Sequence, residues 1–425
     1  MLLQRLRSRS LSCCRQSTYC VIAAVVVPVL ACAGCVVHGG GDDTPRFSRD
    51  NSLAVWVRYD YLTVLPDFEN PVCRSVTVKW CRAASPDVIH AAWLLREQAR
   101  LLIAPDSRHL AVIAPDMLRI IATADARSHE LLPRGETVTS VAWLADDEVA
   151  YASHTHQRGP YRDLTDRSFW RQRIDAPPGE RTLIRREEGV RAGFSARGRP
   201  DWPEYWSPRG SYVVYQPSRF ARLNLLDLKR GTAQEFGPAD VWLEDVAWRD
   251  DESAACIMRR DGLGHPYCAL QIDSRTFRVT DFSSEFITVI EPRVVLSIAW
   301  TGDGRYLIYN DSFAGRWLIQ PEPFRAVHLT ERVPVQLDRG VVSDYAARLE
   351  PLAFPGWVRA RGPGRTSAED DAEREGYLID YEGRRRIGVG PVGAAWSLDG
   401  RLAANIGRDG RLKVRHIELP ELPPE

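Results

Sequence analysis

Lysine is nearly absent from this 425-residue chain, and net charge is absent altogether. Lys79, Lys229 and Lys413 are the only lysines, and the 56 basic residues are balanced by 56 acidic ones. We attribute the preference for arginine mainly to genome bias. A chain without net charge has no global attraction for nucleic acid, so the sequence predicts no nucleic-acid partner.

The usual catalytic and phosphate-binding motifs are also missing. The nearest approach to the Gly-x-Ser-x-Gly turn of a serine hydrolase, residues 193–198, has the wrong spacing, which argues against Ser195 as a nucleophile. The sequence contains neither a glycine-rich phosphate loop nor a calcium-binding loop. It therefore predicts no catalytic residue and no cofactor. Its 44% hydrophobic and 26% charged residues are typical of a folded globular protein.

Charged residues are missing from residues 16–41, directly after a start that is rich in arginine and has no acid. The apolar centre of this stretch, residues 21–30, contains Pro28 and is shorter than the roughly 20 residues of a membrane-spanning helix. A basic start, a short apolar centre and small residues after it are typical of an export signal.

The end of this signal, Ala33-Gly34-Cys35, resembles a bacterial lipoprotein processing site. The resemblance implies that Cys35 carries the lipid, and residues 29–32 supply Cys32 as an alternative. An uncleaved anchor and ordinary cleavage are the other interpretations. We expect the protein to be membrane-anchored in the bacterial cell envelope, on the periplasmic or extracytoplasmic side, because multiple acylation fixes a protein to a membrane surface.

Only four cysteines follow the signal, and an even number in an exported chain predicts two disulfides. Cys256 and Cys268 lie symmetrically about a predicted hairpin turn. Cys73 and Cys81 are close enough in sequence to close a small loop. Buried thiols are the alternative, and the spacings do not favour zinc. The four residues are Cys73, Cys81, Cys256 and Cys268.

An apolar and aromatic motif recurs along the rest of the chain. Its clearest copies, residues 298–309 and 394–404, have a strand that ends in tryptophan, an Asp-Gly turn and a second apolar strand. Several copies continue with another strand pair. The gap of 96 residues between Trp300 and Trp396 spans two units and predicts a degenerate copy near residues 352–357. The anchor positions are Phe47, Ile103, Trp143, Trp206, Trp248, Trp300 and Trp396.

Eight four-stranded units averaging about 50 residues are the signature of a β-propeller. The sequence therefore predicts an all-β fold, a single propeller of four-stranded antiparallel blades, with eight blades favoured. Seven result if the Phe47 unit only completes the last blade, and a solenoid is the second choice of architecture. The predicted organisation is a signal or anchor at 1–35, a linker at 36–45, the propeller at 46–419 and a flexible tail at 420–425.

In these motifs the chain resembles the TolB-type and WD-like propeller repeats, in which Trp-Ser-Pro-Asp-Gly lies between two apolar strands. The resemblance extends over about residues 45–418. It implies the fold and no particular activity, since propellers host both scaffolds and enzymes. TolB itself has an α/β domain before its propeller, whereas the first repeat here follows Cys35 by about a dozen residues, so we do not expect this chain to be TolB.

His154 and His156 are the only close histidine pair. On an extended strand, residues i and i+2 lie on the same face, so both imidazoles can reach one metal ion, with His265, Asp163 or Asp166 as a third ligand. The alternative is an exposed polar loop without a metal.

Loops that join second and third strands emerge together on one face of a propeller. The longest unit carries such a loop, rich in arginine and aromatic residues, from about His154 to Arg173, and the next two units have basic residues at equivalent places. Arginine with aromatic residues is typical of binding hot spots. We predict that this face binds a partner, with an acidic one favoured, and solvated loops are the alternative. The residues are Arg158, Tyr161, Arg162, Arg222, Arg259, Arg260 and His265.

Together these features predict an exported, lipid-anchored propeller that serves as a protein-interaction platform in the envelope. One alternative is an enzyme, a metal-assisted lyase or a hydrolase at the mouth of the central channel, which converging histidines and carboxylates would favour. Another is a sensor of small ligands or carbohydrate, which needs aromatic residues outside the repeat, because the anchor tryptophans are expected in the core. The oligomeric state is not predicted.

Overall fold

The computed structural model shows an all-β chain of successive antiparallel sheets. The structure describes residues 36–42, 45–64, 72–94, 99–114, 116–156, 164–191, 204–218, 221–260, 267–281, 293–300, 304, 306–313, 324–328, 333–336, 348–351, 357–361, 375–380, 385–391, 395–397, 399–406 and 411–417. Within these ranges no helix is long and apolar enough to cross a membrane. The signal region, residues 1–35, and the tail from residue 418 lie outside them.

The described strands form eight blades, in which strands that are consecutive in sequence pair with one another, except that β1 and β2 of blade 1 both pair with β3. Blade 1 contains β1 (Val36–Asp42), β2 (Arg46–Phe47), β3 (Leu53–Val64), β4 (Val72–Arg82) and β5 (Ser85–Leu94). Blade 2 contains β6 (Arg100–Ile103), β7 (His109–Ala114), β8 (Met117–Ala122) and β9 (Ser128–Glu130). Blade 3 contains β10 (Thr137–Ala145), β11 (Glu148–His156), β12 (Leu164–Arg173) and β13 (Thr182–Arg191). Blade 4 contains β14 (Tyr205–Trp206), β15 (Tyr212–Tyr215), β16 (Leu223–Asp227) and β17 (Thr232–Phe236).

The second half of the ring repeats this arrangement. Blade 5 contains β18 (Val241–Trp248), β19 (Ser253–Arg260), β20 (Tyr267–Asp273) and β21 (Val279–Asp281). Blade 6 contains β22 (Arg293–Trp300), β23 (Tyr306–Phe313), β24 (Phe324–His328) and β25 (Val333–Gln336). Blade 7 contains β26 (Arg348–Pro351), β27 (Trp357–Arg361), β28 (Glu375–Asp380) and β29 (Arg385–Pro391). Blade 8 contains β30 (Ala395–Trp396), β31 (Leu402–Ile406) and β32 (Leu412–His416).

The eight-bladed all-β architecture predicted from the repeat is confirmed. The Phe47 unit forms a blade of its own, because β1 and β2 both pair with β3 and together occupy the innermost position of blade 1. The degenerate copy near residues 352–357 belongs to blade 7. Residues 36–45, expected to be a linker, are partly a β-strand in the structure. Their first part is strand β1, since the β-branched residues Val36 and Val37 pair with Val64 and Thr63.

In blade 8 the Asp-Gly turn of the repeat closes the first hairpin through local interactions. The carboxylate of Asp399 accepts hydrogen bonds from the Ser397 hydroxyl at 2.6 Å and from the Arg401 amide at 3.1 Å. Gly400 has a φ of 75°, a left-handed conformation that glycine adopts without strain. These residue types therefore fix the hairpin, as the repeat pattern predicted.

The anchor tryptophans join neighbouring blades, and they are buried or partly buried against the core, as the repeat predicts. Trp300 is only 3% exposed and Trp143 only 7%. Three of the indole N–H groups donate to the first strand of the preceding blade. These bonds run from Trp206 to the Ser140 hydroxyl (2.8 Å), from Trp248 to the Tyr205 carbonyl (3.0 Å) and from Trp300 to the Ala247 carbonyl (2.9 Å).

Blade 8 packs against blade 1 and closes the ring. Ala54, Trp56 and Cys81 of blade 1 form one buried apolar cluster with Ala404 and Leu412 of blade 8. Trp56 is 1% exposed and is among the largest fully buried side chains. A ring closed in this way leaves neither the first nor the last blade with an uncovered apolar core.

The structure does not form the two disulfides predicted from cysteine spacing, as far as its described residues show. Cys73 and Cys81 both lie in strand β4. An extended strand rises about 3.3 Å per residue, so their Cα atoms are about 26 Å apart, whereas a disulfide needs less than about 7 Å. Cys268 is offset by two residues from the position opposite Cys256, and no disulfide joins them. Cys256 is fully buried, and burial raises the pKa of its thiol.

We expect the Trp56→Ala variant to lose about 3–5 kcal/mol of unfolding free energy, because it leaves a cavity at the closure between blades 8 and 1. Urea unfolding followed by tryptophan fluorescence and circular dichroism measures this loss. The control is Val88→Ala, at a side chain that is 59% exposed, which we expect to change stability by less than about 0.5 kcal/mol. Equal stability of the two variants would contradict the role of Trp56 in closure.

Candidate functional site

The loops expected to form the binding face leave the ring at one end. In blades 3, 4 and 5 the second strand passes to the third through residues 157–163, 216–222 and 261–266. Each blade repeats the same up-and-down strand order, so these connections lie at the same end of the ring. We call this end, at which second strands end and third strands begin, the loop face.

Three of the predicted binding residues lie within the described part of the chain. Arg222 is exposed directly before β16. Arg259 and Arg260 are the last residues of β19, although their side chains are outside the described set. The other four predicted residues, Arg158, Tyr161, Arg162 and His265, lie outside the described residues.

The long loop expected from His154 to Arg173 is shorter in the structure. Strand β12 begins at Leu164 and pairs with β11 along its whole length. Phe169, expected in the loop, is fully buried between blades 3 and 4. Sequence reasoning missed this strand because arginines interrupt the apolar alternation that normally indicates one.

A row of charged side chains crosses blade 3 just below the loop face. His154 of β11 is directly opposite Arg167 of β12, which is directly opposite Glu187 of β13. Opposed residues of a sheet share a face, so this register brings the three side chains together. His154 and Arg167 are each 1% exposed, and the buried guanidinium therefore requires a counter-ion inside the protein.

Glu204 supplies this counter-ion from the start of blade 4. It is buried directly before β14, with Oε1 3.4 Å from Nε of Arg167 and 3.6 Å from Nε2 of His154. Its Oε2 accepts hydrogen bonds from the hydroxyls of Thr139 and Ser140, both at 2.9 Å. We call the four charged or titratable residues the Glu204 cluster, and they are His154, Arg167, Glu187 and Glu204.

The electrostatics of this cluster keep Glu204 ionised. Burial by itself would raise the pKa of Glu204. The close contact with the His154 imidazole, the positive charge of Arg167 and the hydroxyl of Thr139 outweigh burial and lower the pKa from 4.5 to about 2. Glu204 is therefore an anion at neutral pH and compensates the charge of Arg167.

Buried polar contacts extend the cluster into the next blade. Nη1 of Arg167 donates to the carbonyl of Gln216 at 3.1 Å. The Gln216 amide group donates to the Val241 carbonyl at 2.7 Å and accepts from the Leu243 amide at 3.2 Å, both in the first strand of blade 5. These contacts join blades 3, 4 and 5 directly beneath the loop face, and buried hydrogen bonds between blades favour one arrangement of them.

The structure gives His154 a role in packing rather than in an exposed loop. The guanidinium of Arg167 lies at the same carboxylate oxygen, and a cation there opposes metal binding. No cluster of three or more His, Cys, Asp or Glu side chains suited to a metal occurs within the described ranges. The side chain of His156, and all of Asp163 and His265, lie outside those ranges, so the histidine-pair metal site stays a prediction.

Sequence reasoning did not single out Glu204, although the repeat contains a signal for it. The residue two positions before the anchor tryptophan is apolar in other units, as Val141, Val246 and Ile298 show. Glu204 occupies this position before Trp206. A charge at a repeat position that is otherwise apolar indicates a buried partner on a neighbouring blade.

Neither a protein-family model nor a curated protein matches the chain. Among solved structures, the chain is similar to dihydro-heme d1 dehydrogenase NirN in complex with DHE, with a TM-score of 0.50 and 13% identity over 82% of this chain and 65% of that one. It is also similar to an acylaminoacyl peptidase from Pyrococcus horikoshii, with a TM-score of 0.46 and 11% identity over 82% of this chain and 52% of that one. A third similar structure is the Cps50 (Swd1) β-propeller domain of Myceliophteria thermophila, with a TM-score of 0.44 and 9% identity over 78% of this chain and 95% of that one.

The chain thus spans between half and two thirds of the length of NirN and of the peptidase. At identities of 13% or less the likeness concerns the fold alone. It carries no activity, substrate or partner over to this chain.

We expect Glu204→Gln to lower the free energy of unfolding by about 3–5 kcal/mol, because it leaves the buried guanidinium of Arg167 without its counter-ion. The control is Glu188→Gln, at a carboxylate that is 77% exposed and 3.9 Å from Arg186, which we expect to change stability by less than about 0.5 kcal/mol. Chemical denaturation at neutral pH measures both values. A loss at Glu204 no larger than at Glu188 would contradict the buried ion cluster.

We also expect the effect of Glu204→Gln on the free energy of unfolding to depend on pH. The folded-state pKa of Glu204, about 2, is lower than its ordinary value of 4.5, so its ionisation stabilises the fold fully above that value. The stability difference between the native chain and Glu204→Gln should therefore shrink as the pH falls from 4.5 towards 2. Unfolding curves across this range test the direction, and a difference that grows on acidification would refute it.

Proposed function

We propose that this protein is an exported, lipid-anchored β-propeller that binds an acidic protein partner on its loop face in the bacterial cell envelope. The observation that carries the proposal is the set of buried contacts from the Glu204 cluster through Gln216 to Val241, which joins the loop-face ends of three consecutive blades. A surface with rigid supports loses less conformational entropy when a partner binds.

The residues above these supports suit an acidic partner. Arg222 is exposed, and Arg259 and Arg260 end β19 at the same end of the ring. By sequence, Arg158 and Arg162 belong to the equivalent loop of blade 3. Guanidinium groups form paired hydrogen bonds with carboxylates, so several arginines on one face favour an acidic surface over a neutral one.

An anchor at Cys35 would bring this face towards the membrane. Cys35 directly precedes β1, whose first residue, Val36, is opposite Val64 at the end of the second strand of blade 1. Second strands end at the loop face, so β1 begins there too. The proposed partner is therefore a protein at the membrane surface.

The arginines are tested by replacing Arg158, Arg162, Arg259 and Arg260 together with alanine. We expect recovery of the partner, after crosslinking and affinity purification from native membranes, to fall at least about ten-fold, because hot-spot arginines carry much of the binding energy of an interface. The matched control replaces four exposed arginines of the opposite turns with alanine, namely Arg49, Arg108, Arg209 and Arg401. Equal recovery of the partner by both variants would contradict the proposal that the loop face binds it.

The anchor is tested on the same membranes by mass spectrometry of the N-terminal peptide. We expect the mature chain to begin with an acylated Cys35, and Cys35→Ala to shift the protein out of the membrane fraction, because the acyl groups on Cys35 are the proposed attachment to the membrane. Cys32→Ala is the matched control and should leave the fractionation unchanged. An unmodified wild-type chain in the soluble fraction would contradict the lipid anchor.

A further inference from the structure

Blade 8 differs from the rest of the ring at its outer rim. Among the described residues, blades 1 to 7 have four strand positions, whereas blade 8 has three, the outermost being β32. Within the described ranges, no strand pairs with the outer edge of β32. An edge of this kind presents main-chain donors and acceptors that can pair with another extended segment.

The hydrogen bonding of blade 8 shows which residues face this open edge. The Ile417 amide donates to the Arg401 carbonyl at 2.8 Å, so the main-chain groups of residue 417 point towards β31. The direction alternates along an antiparallel strand. The residues that direct their main-chain N–H and C=O groups outward are therefore Leu412, Val414 and His416.

The neighbouring outer strand, β5 of blade 1, is exposed beside this edge. Ala91 is opposite Lys79, which is opposite Trp56, so the three residues share one face of blade 1. Trp56 packs against blade 8, and Ala91 therefore faces the place that a fourth strand of blade 8 would occupy. Val88 and Ile89, just before it, are 59% and 38% exposed, two of four such large apolar side chains among the described residues.

The charges along the edge select the occupant. Lys413 and Arg415 of β32 are exposed, and so is His416 at its end. An added strand would place every second one of its side chains beside Lys413 and Arg415, where acidic residues are favourable. Pairing β32 with a second copy of itself would bring like charges together, which is unfavourable. The basic edge thus favours an acidic segment over self-association.

We propose that the open edge of β32 binds an extended acidic segment of a partner protein as the fourth strand of blade 8. The segment's main chain pairs with Leu412, Val414 and His416. Its acidic side chains lie beside Lys413 and Arg415, and its alternate, apolar side chains cover Ala91. This site is on the rim of the ring and does not depend on the loop face. Strand addition of this kind draws its affinity from main-chain hydrogen bonds and its specificity from alternate side chains.

The probe is a short capped synthetic peptide in which Glu and Val alternate, with a Lys and Val peptide of the same length as its control. Hydrogen exchange by NMR reports each amide of β32 in the intact chain. We expect the Glu–Val peptide to slow exchange at Val414 at least about ten-fold, since it pairs an outward amide, and to leave Arg415, already paired with β31, unchanged. The Lys–Val peptide should change neither.

Two variants separate the charge from the main chain. Lys413→Glu with Arg415→Glu should weaken binding of the Glu–Val peptide about ten-fold and strengthen that of the Lys–Val peptide. His416→Pro removes an outward N–H at an exposed position without affecting the pairing with β31, and should also weaken binding. The matched control, Lys229→Glu with Arg230→Glu, changes an exposed basic pair on four-stranded blade 4 and should bind as the native chain does.

Three results would overturn the proposal. If Val414 exchanges as slowly as Arg415 in the chain alone, residues of the protein itself already cover the edge. If the two peptides bind equally, the edge does not select acidic segments. If the chain forms a concentration-dependent dimer that His416→Pro abolishes, the occupant is a second copy.

Discussion

The whole ring depends on each blade covering one face of the next, because a single four-stranded sheet cannot keep both of its apolar faces out of water. The anchor tryptophans meet this requirement through burial and through hydrogen bonds, as Trp248 and Trp300 donate to the first strand of the preceding blade. The same requirement makes blade 8 pack against blade 1, where Trp56 meets Leu412. At the outer rim the requirement is less fully met, since blade 8 has three described strands and β5 beside it is exposed.

The Glu204 cluster departs from the repeat in the region where we propose a function. An acid at an apolar repeat position is tolerable only because Arg167 and His154 of the preceding blade are within 3.6 Å of it. Placing an acid at this position requires several charges to be desolvated. The contacts that they form hold blades 3, 4 and 5 in a fixed arrangement beneath their loops. Proteins commonly break local rules at functional sites, which is consistent with a binding surface above this cluster.

Sequence patterns predicted the fold well where the governing interactions are local. The polar turns and the apolar or aromatic anchor residue at the end of most first strands indicated eight hairpin-based units, and the blades follow them. The same reasoning failed for Cys73 and Cys81, because Val76, Val78 and Trp80 between them alternate as a buried strand and hold the cysteines far apart. For the candidate site, sequence reasoning singled out His154, as a metal ligand on a strand or else as part of an exposed loop, and did not predict that it is buried against Glu204. Its burial depends on a residue of another blade.

The amino-acid sequence by itself therefore determined the repeat, its turns and the number of blades, since each depends on residues a few positions apart. Only the tertiary structure decided which buried charges meet and which strand edge stays open within the described ranges. The physical reason is that a buried charge takes its partner from whichever blade packs against it, as Arg167 takes Glu204. Whether a strand edge is open or covered likewise depends on the strands that lie beside it. No local pattern in the sequence of β32 specifies whether another strand lies along its outer edge.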